Sequence, residues 1–492
     1  MTSYNNDNIR KLEELTTTFL VVGGGIAGVT CAETLALYHP EESIILLTES
    51  NIIKTIANLE PVARYLYKFD VKEHSLKEDN SDSTKLAPAI VTIVDRLKNI
   101  DALKHCAHTN NGQIICYKFI CLCTGAQPNL ILSNNSRVIG IRDTDSVLTL
   151  QRRLKNAKSV VLLGNGGIAS ELAYELRGVE VHWVVKDSHI ASTFVDPGAA
   201  HFFQESIRLK KLNKDETCKE ISQSTTVIKR LRYAEDLPEE LNEKLHEHGA
   251  ALGPDWHRNF NLRADTDGNI DTLIIHYKSH VKQIKEENDM LIVSLSNGDP
   301  IKCDFLVSAT GVEPNHNYTC SLPISLAADG GIAVNEMMET NVKNIYAAGD
   351  VCTSSWDPAQ HWFQMRLWTQ ARQMGCMAGR SMGAKLKNEL IYQDFCFELF
   401  GHVTQLFGFP VVLLGRYNGQ GLGTDYELLL RSTPEKEYIK FVLQRGRLRG
   451  AILIGNTELA ETCENLILNA IDLTPYGDDI LNPDIDIEDY FD

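Results

Sequence analysis

Three glycines near the start of the chain have the spacing that lets a backbone approach a phosphate group. The segment Gly23-Gly24-Gly25-Ile26-Ala27-Gly28 follows the apolar run 18–22 and precedes a helix-forming stretch. Gly23 allows a tight turn, Gly25 leaves room for a pyrophosphate, and Gly28 lets the helix pack closely on the strand. The free N–H groups at the start of that helix would hold the pyrophosphate, because the helix dipole favours negative charge there.

An acidic residue stands where such a site would recognise a ribose. A second apolar run, 43–47, leads into Thr48 and Glu49, and Glu49 lies 21 residues after Gly28. The order strand, glycine turn, helix, strand, acid is typical of a dinucleotide-binding fold. The Glu49 carboxylate would accept hydrogen bonds from the adenosine ribose and would repel a 2′-phosphate. The first site therefore favours FAD over a phosphorylated nicotinamide nucleotide.

The same pattern occurs again 141 residues further along the chain. The apolar run 159–163 leads into Gly164-Asn165-Gly166-Gly167-Ile168-Ala169, then a helix-forming stretch and the run 181–185. Val185 occupies the position of the acid, and Lys186 follows it. The Lys186 ammonium could attract a 2′-phosphate or simply face solvent, so the choice between NADH and NADPH stays open. The repeat predicts a second nucleotide site, for NAD(P)H.

Polar turns follow three other predicted strands. The apolar run 118–123 leads into Thr124-Gly125-Ala126, and a sister segment later in the chain contains Thr310-Gly311. Another short strand ends at Gly349-Asp350, at the edge where doubly wound sheets bind ligands. We expect Asp350 to hydrogen-bond the ribityl chain of a flavin. Val94 is a further candidate cofactor contact.

A helix is predicted over residues 364–379. Its N-terminal end is expected to face the pyrimidine ring of the flavin and to stabilise the negative charge that forms there on reduction. Trp368, within this segment, is either a flavin contact or a core side chain.

Together these elements predict an α/β fold with two Rossmann-like dinucleotide-binding domains, for FAD and NAD(P)H. A C-terminal α+β domain follows, with an antiparallel hairpin that turns at Arg445-Gly446. The segment at about 204–250 is charged and helix-prone, and we interpret it as an insertion that is either mobile or a partner surface. The expected boundaries are 1–150 and 304–385 for the FAD-binding domain, 151–303 for the NAD(P)H-binding domain with the insertion at about 204–250, 386–477 for the C-terminal domain, and 478–492 for an acidic tail.

Composition excludes several classes of protein. The chain has 492 residues and a net charge of −17, so binding to nucleic acid through a global basic field is not expected. No run approaches the length of a membrane-spanning helix, and no secretory signal is recognised, which predicts a cytosolic or nuclear protein. The twelve cysteines include no Cys-x-x-Cys and no zinc-ligand spacing. We therefore expect free, buried thiols and no metal site.

These motifs resemble those of the pyridine nucleotide-disulphide oxidoreductases, flavoproteins with two dinucleotide-binding domains. The segments VVGGGIAGVTCAE, LLGNGGIA, VSATGVEPN and IYAAGDVCTSSW carry the resemblance, which covers nearly the whole chain and is strongest to one branch of the family. It implies an FAD enzyme that oxidises NAD(P)H in the cytoplasm and nucleus. It also implies an association with the RNA ligase of the tRNA ligase complex, which such proteins shield from oxidative inactivation.

The chain departs from the wider family at its redox cysteines. Disulphide reductases that place a cysteine pair after the first nucleotide unit would need it near residues 50–65, where this sequence has none. A C-terminal His-Pro-Thr motif is also missing, so the usual disulphide chemistry is not expected. By the same resemblance, Lys54 falls where related reductases carry a lysine near flavin N5. It would orient the nicotinamide or stabilise reduced flavin, unless it is an exposed lysine.

Three functions remain open from the sequence. The first is an NAD(P)H oxidase-like flavoprotein that passes hydride from nicotinamide to flavin and is reoxidised slowly. The second is a reductase of a diffusible or protein acceptor, like the rubredoxin or ferredoxin reductases. The third is a catalytically idle flavin-containing binding module. The tail Asp484–Asp492 alternates acidic with apolar residues, and it either docks into a basic cleft of a partner enzyme or is a solvated end.

Overall fold

The structure is a computed structural model that describes residues 14–76, 86–212, 226–232 and 272–482. The predicted docking segment Asp484–Asp492 lies outside the described residues, as does most of the charged insertion. Within the described ranges, no helix is both long enough and apolar enough to cross a membrane.

The first domain is built on an eight-stranded sheet with the order β20-β6-β7-β8-β1-β2-β5, in which β22 also pairs with β8. The central strands β8, β1, β2 and β5 run parallel, as the predicted nucleotide fold requires. The strands are β1 Glu14–Val22, β2 Ile44–Thr48, β5 Ile90–Val94, β6 Leu97–Asp101, β7 Cys106–Thr109, β8 Ile114–Leu122, β20 Thr319–Cys320 and β22 Ile345–Ala347. The helices of this domain are α1 Ile26–Tyr38 and α5 Trp368–Lys387.

The second domain repeats this plan with a five-stranded parallel sheet of order β10-β18-β11-β12-β14. Its strands are β10 Val138–Ile139, β11 Ser159–Leu163, β12 Glu180–Val184, β14 Leu273–His276 and β18 Phe305–Ser308. Its helices are α2 Thr144–Leu154, α3 Gly167–Glu175 and α4 Pro197–Leu212.

The third domain is a six-stranded antiparallel sheet of order β13-β26-β27-β28-β25-β24. The predicted hairpin is present: β27 and β28 turn at Arg445 and Gly446, whose φ angles of 51° and 71° suit a tight two-residue turn. The edge strand β13 comes from the charged segment that we expected to be a mobile insertion or a partner surface. The elements are β13 Val227–Arg232, β24 Gly401–Leu406, β25 Phe409–Gly415, β26 Glu427–Thr433, β27 Glu437–Gln444, β28 Arg447–Ile454 and α6 Ala460–Leu468.

Small sheets and turns complete the architecture. The antiparallel pair β9–β19 joins the two Thr-Gly segments, so that segments nearly 200 residues apart meet between the nucleotide domains. The remaining strands are β3 Ile52–Pro61, β4 Tyr67–Ser75, β9 Ala126–Pro128, β15 Val281–Glu287, β16 Met290–Leu295, β17 Ile301–Cys303, β19 Val312–Pro314, β21 Ile332–Val334 and β23 Cys352–Ser354. Short 3-10 helices span Phe395–Phe397 and Thr474–Leu481. Within the second of these, Ile480 and Leu481 are buried in the C-terminal core rather than in a tail.

Helix α5 packs on α1 at very short range because one face of α5 carries glycine at every fourth position. A Cβ atom at Gly375 would lie 2.3 Å from the Ala27 carbonyl oxygen, and one at Gly383 would lie 2.0 Å from Nε2 of His39. Gly379 makes the corresponding contact between them. The two helices therefore run side by side with both N-terminal ends at the same edge of the sheet.

The cysteines differ in part from the expectation of free thiols. Cys106 and Cys116 form a disulphide, because β7 and β8 place the two residues directly opposite each other. The expectation was wrong for this pair, because the sequence alone does not show which residues of two antiparallel strands lie opposite each other. Cys121 and Cys123 lie on the same side of the chain, as predicted, with their Sγ atoms 3.5 Å apart.

Candidate cofactor cleft

An open cleft of about 560 Å³ lies at the carboxyl ends of β1, β2 and β8. It receives side chains and backbone from both halves of the first domain. The predicted residues that line it are Gly23, Gly25, Ile26, Ala27, Glu49, Lys54, Thr124, Gly125, Ala126, Asp350 and Trp368. The chain therefore brings these residues of the predicted first site to one surface.

The glycine turn after β1 has the geometry that its spacing predicts. Gly23 has a φ of 127°, and a Cβ atom there would lie 2.1 Å from the Cys123 carbonyl oxygen. A Cβ atom at Gly28 would lie 1.9 Å from the Gly23 carbonyl oxygen, so this position allows the close packing of helix on strand. At Gly25, by contrast, no atom lies within 4 Å of where a Cβ would be. This open space in the cleft wall is the room that a pyrophosphate needs.

The N-terminal end of α1 is available to an anion. Gly25 is its N-cap, no side chain of the described residues caps it, and its first turn has no acidic residue. The first N–H groups of the helix thus have no partner within it, and the positive end of the helix dipole lies beside the cleft. These features fit the diphosphate of a dinucleotide.

Asp350 is a buried carboxyl group in the cleft wall, with 8% of its surface exposed. Burial raises its pKa to about 6, although the charges of Arg366 and Arg142 act in the opposite direction. The Arg366 guanidinium fixes the local backbone, because its Nε donates to the Asp350 carbonyl oxygen at 2.9 Å and its terminal nitrogen pairs with Asp329 at 2.6 Å. Gly349, with a φ of 80°, allows the turn that presents Asp350. A carboxyl group held in this way suits the hydroxyls of a ribityl chain.

Lys54 is held at the cleft rather than projecting into solvent. Its backbone N–H donates to the Gly24 carbonyl oxygen at 2.9 Å, and only 14% of its side chain is exposed. Its Nζ lies 3.5 Å from an oxygen of Glu73 on the neighbouring strand β4. Glu73 also accepts a hydrogen bond from the hydroxyl of Thr144 at the start of α2. The alternative of an exposed lysine does not describe this residue.

Glu49 lies at the rim, where 63% of its side chain is exposed. Its nearest cation is Arg96, whose Nε is 3.8 Å away, and such an exposed pair stabilises the fold little. The carboxylate is therefore available to ribose hydroxyls. Val94 is not among the lining residues and is 39% exposed, although its neighbour Asp95 does line the cleft.

The start of α5 also borders the cleft. The helix begins at Trp368, four residues later than predicted, and Trp368 lies in the wall with 9% of its surface exposed. Within the part of the chain that is described, no side chain caps this helix and no acid occurs in its first turn. The positive end of its dipole therefore faces the same cleft as that of α1.

Several lining residues escaped the sequence reasoning. Arg142 precedes α2, and Asn315 and Tyr318 follow β19. Two hydrogen bonds connect Asn315 to the first domain. The N–H of Asn315 donates to the Gly125 carbonyl oxygen at 2.9 Å, and the Thr124 hydroxyl donates to the Asn315 carbonyl oxygen at 2.7 Å. The sister segments with Thr-Gly were the only signal that these distant residues meet.

The second glycine turn has the same geometry as the first. Gly164 has a φ of 130°, and a Cβ there would lie 2.1 Å from the Ala309 carbonyl oxygen. Gly166 is the N-cap of α3 and, in the described ranges, no side chain bonds to that end of the helix. The indole N–H of Trp183 donates to the Gly164 carbonyl oxygen at 2.7 Å and braces the turn. The predicted residues of this second site, which are not part of the 560 Å³ cleft, are Gly164, Gly166, Gly167, Ile168, Ala169, Lys186, Thr310 and Gly311.

The second turn differs from the first in its acidic residue. Val185 is buried and Lys186 is exposed, so neither repeats the role of Glu49. Asp187 instead accepts a hydrogen bond at 2.8 Å from the side chain of Asn165, inside the glycine turn.

Comparison with known proteins agrees with this geometry. The family model described as pyridine nucleotide-disulphide oxidoreductase matches residues 17–237 and 271–375. The model described as the rubredoxin NAD+ reductase C-terminal domain matches residues 406–471.

Curated relatives match over almost their full length. The pyridine nucleotide-disulfide oxidoreductase domain-containing protein 1 of Drosophila melanogaster is 60% identical, over 96% of this chain and 99% of that protein. The protein of the same name from Homo sapiens is 45% identical, over 96% and 98%.

Among solved structures, a ferredoxin reductase from Rhodopseudomonas palustris has a TM-score of 0.64 at 19% identity, covering 96% of this chain and 99% of the other. A water-forming NADH oxidase from Lactobacillus brevis has a TM-score of 0.61 at 14% identity, covering 93% and 91%. At these identities the two structures show a shared fold.

Proposed function

Because this chain belongs to the pyridine nucleotide-disulphide oxidoreductase family, we propose that it is an FAD-dependent NAD(P)H oxidoreductase. When bound, the two cofactors supply hydride transfer from the nicotinamide to the flavin. The observation that supports the proposal best is the first cleft, where an open glycine position, an uncapped helix end and a buried carboxyl group lie together.

Each group of the cleft has a part in holding the dinucleotide. The N–H groups at the start of α1 bind the pyrophosphate, and Gly25 gives it room. Glu49 accepts hydrogen bonds from the adenosine ribose, and Asp350 bonds the ribityl chain. The positive end of the α5 dipole, at Trp368 in the cleft wall, would stabilise negative charge that forms on a bound flavin during reduction. Lys54, held by Glu73, orients the nicotinamide or stabilises the reduced ring.

The second glycine turn is the proposed NAD(P)H site. The N–H groups at the start of α3 bind the nicotinamide dinucleotide phosphates, as those of α1 do in the first cleft. Gly164 and Gly166 keep the backbone clear of the ligand. Lys186, which is exposed two residues after the end of β12, is the candidate contact for a 2′-phosphate.

We further propose that the reaction uses no redox disulphide beside the flavin. Cys123 is the cysteine in the lining of the cleft, and its thiol is buried against Cys121. The hydrogen bond with Cys121 and burial both raise the pKa of the Cys123 thiol. A thiol that stays protonated is a poor nucleophile, so this pair is unsuited to dithiol chemistry.

The reductase alternative has one specific observation in its favour, the match of residues 406–471 to a rubredoxin reductase C-terminal domain. The two functions differ in how the reduced enzyme is reoxidised. An oxidase-like protein turns over slowly with oxygen and is not stimulated by added acceptors, whereas a reductase is strongly accelerated by one acceptor.

The experiment is an absorbance spectrum of the purified chain before and after anaerobic addition of NADH or NADPH. We expect a bound flavin spectrum that bleaches, with a long-wavelength charge-transfer band from oxidised nicotinamide stacked on reduced flavin. A colourless protein that takes up no FAD on reconstitution would overturn the proposal. A flavin that neither nucleotide bleaches would identify an idle binding module instead.

A partner completes the proposal, on the strength of the sequence resemblance. We propose that the protein acts in the cytoplasm and nucleus and protects the RNA ligase of the tRNA ligase complex from oxidation, with the acidic tail Asp484–Asp492 as its contact. The test measures ligase binding, and ligase activity under peroxide, with NAD(P)H and with either the full chain or a chain lacking residues 484–492. This deletion keeps Ile480 and Leu481, which are buried in the C-terminal core. Equal ligase loss with and without the full chain would exclude protection, and equal binding by the shortened chain would exclude the tail.

A further inference from the structure

A second depression lies at the opposite end of the first sheet from the cofactor cleft. It is open, has a volume of about 450 Å³, and includes Lys104, His105, Cys116, Tyr117 and Lys118 in its lining. It thus combines two lysines with one sulphur of the disulphide that joins β7 to β8.

The register of the sheet separates this disulphide from the cofactor. Cys116 pairs with Thr16 of β1, whereas Leu122 pairs with Val22, which lines the cofactor cleft. Six residues of strand at about 3.3 Å each place the two sites about 20 Å apart. The Cys106–Cys116 disulphide is therefore not a counterpart of the flavin-facing cysteine pair of other disulphide reductases, and its chemistry must use a partner from solution.

The two sulphurs differ in their access to solvent. Cys106 is buried, with 9% of its surface exposed, whereas Cys116 is only half-buried and lines the depression. A thiolate from solution can therefore reach the sulphur of Cys116, and Cys106 is the leaving group of such an attack.

Each sulphur also lies beside an oxygen that a thiol could use. The Sγ of Cys106 is 3.4 Å from the Lys104 carbonyl oxygen, and the Sγ of Cys116 is 3.0 Å from a carboxylate oxygen of Glu14. A disulphide has no hydrogen to donate to these oxygens, but the two thiols formed by its reduction do. The surroundings therefore provide hydrogen-bond acceptors for the reduced pair.

Two lysines in the lining of the depression attract a negatively charged thiol. Lys104 and Lys118 are exposed, and Lys104 shares its charge with Asp101 at 3.4 Å. In the described ranges, Nδ1 of His105 and the hydroxyl of Tyr117 are buried without a hydrogen-bond partner. The Glu14 carboxylate faces Cys116 and opposes this attraction locally, so the lysines must outweigh it for an anion to approach.

We propose that this depression is a thiol–disulphide exchange site for a small thiol that carries carboxylates. The thiolate attacks Sγ of Cys116, the Cys106–Cys116 bond breaks, and Cys106 takes a proton from water. The product is a mixed disulphide between Cys116 and the small thiol. A second small thiolate then attacks the small-thiol sulphur of this mixed disulphide, and Cys116 leaves and takes the second proton. Two small thiols are oxidised to one disulphide while the protein disulphide is reduced to two thiols, and the reverse sequence restores it.

The test uses two probes of opposite charge, reduced glutathione and the cationic aminothiol cysteamine, at equal thiolate concentration. Reduction of the oxidised full-length protein is followed by alkylation of new thiols and mass spectrometry of the Cys106 and Cys116 peptides. We expect glutathione to react about fivefold faster than cysteamine, because exposed lysines raise the local concentration of an anion. The double variant Lys104→Gln, Lys118→Gln should remove that preference, while the control Lys302→Gln, another exposed lysine, should keep it.

A trapping experiment gives a second readout. With oxidised glutathione, Cys106→Ser should accumulate one mixed disulphide on Cys116, since the resolving sulphur is gone; the bound flavin spectrum reports whether the variant is folded. If that variant does not fold, the two-probe comparison on the native chain still decides. Equal rates with both probes, or Cys106 and Cys116 alkylated as free thiols in the untreated oxidised protein, would overturn the proposal. None of these outcomes bears on flavin reduction by NAD(P)H.

Discussion

A single methyl group at Gly25 should weaken flavin binding without unfolding the protein. The backbone there has φ −79° and ψ −177°, which any residue adopts, and no atom lies within 4 Å of the added Cβ. The methyl group of Gly25→Ala would occupy the space through which the pyrophosphate reaches the N–H groups of α1. The change therefore acts on the ligand and leaves the packing of the domain alone.

The expected loss follows from the contacts at the helix end. A hydrogen bond to a charged group contributes about 1.5–3 kcal/mol, and the helix dipole adds about 0.3–2 kcal/mol. If the pyrophosphate loses one such hydrogen bond and part of its interaction with the dipole, the binding free energy falls by about 3 kcal/mol. This corresponds to a roughly hundredfold increase in the dissociation constant of FAD. Alanine is a poorer N-cap than glycine, so the apoprotein should lose less than about 1 kcal/mol.

The assay separates binding from folding. FAD is titrated into the apoprotein and followed by flavin fluorescence, and the apoprotein is unfolded by heat in parallel. Gly25→Ser is the matched variant, because serine is a good N-cap but still puts a side chain into the cleft. We expect it to bind FAD as weakly as Gly25→Ala while unfolding at the native temperature.

A contrasting position shows what failure would look like. At Gly28 an added Cβ would lie 1.9 Å from the Gly23 carbonyl oxygen, so Gly28→Ala should destabilise the domain even without ligand. The reasoning is refuted if Gly25→Ala retains native affinity for FAD, or if its apoprotein is destabilised as much as that of Gly28→Ala.

Other expected outcomes concern stability. Lys440→Met should lower the free energy of urea unfolding by about 3–5 kcal/mol. Lys440 is buried in an ion pair, and its removal leaves the Asp196 carboxylate without that partner. A loss below 1 kcal/mol would contradict this. Gly375→Ala, whose Cβ would lie 2.3 Å from the Ala27 carbonyl oxygen, should lower the free energy of unfolding by about 1–3 kcal/mol; an unchanged melting temperature would show that α5 can move away. Burial lowers the pKa of His402 from 6.5 to about 3. As the pH falls below 6.5, His402 therefore becomes protonated in the unfolded chain but stays neutral in the folded one, which favours unfolding. At pH 5.5 this should reduce stability by about 1.4 kcal/mol, and His402→Gln should lack that part of the pH dependence.

Local patterns predicted the elements whose boundaries depend on local sequence. The run 159–163 coincides with β11, because the four apolar residues after Ser159 suit a strand buried on both faces. Helix α5 is the counter-example, since its predicted start was residue 364. The side chain of Gln364 instead bonds the Ser354 N–H at 2.7 Å and the Cys352 carbonyl oxygen at 2.9 Å, which keeps this segment out of the helix. Those partners are not visible in a helical pattern.

The site was predictable where a motif carries its own geometry. Gly23 and Gly164 have positive φ because the same turn is needed in both units. Arg142 and Asn315 could not be assigned, because each follows a short strand that pairs with a segment far away in the chain: β10 pairs with β18, and β19 pairs with β9. The Cys106–Cys116 disulphide depends in the same way on strand register.

One buried imidazole of the C-terminal domain lies between the wall of the first cleft and the second glycine turn. The ring centroid of His402, on β24, is 4.9 Å from that of Trp368 in the cleft wall and 6.2 Å from that of Phe194. Phe194 in turn packs against Gly167 at the start of α3, where an added Cβ would lie 3.3 Å from its ring. The C-terminal sheet therefore packs against side chains at both sites. Hydride transfer needs the reacting atoms held about 3–3.5 Å apart. If the chain has the proposed activity, we expect substitutions at this shared packing to affect flavin binding and NAD(P)H binding together.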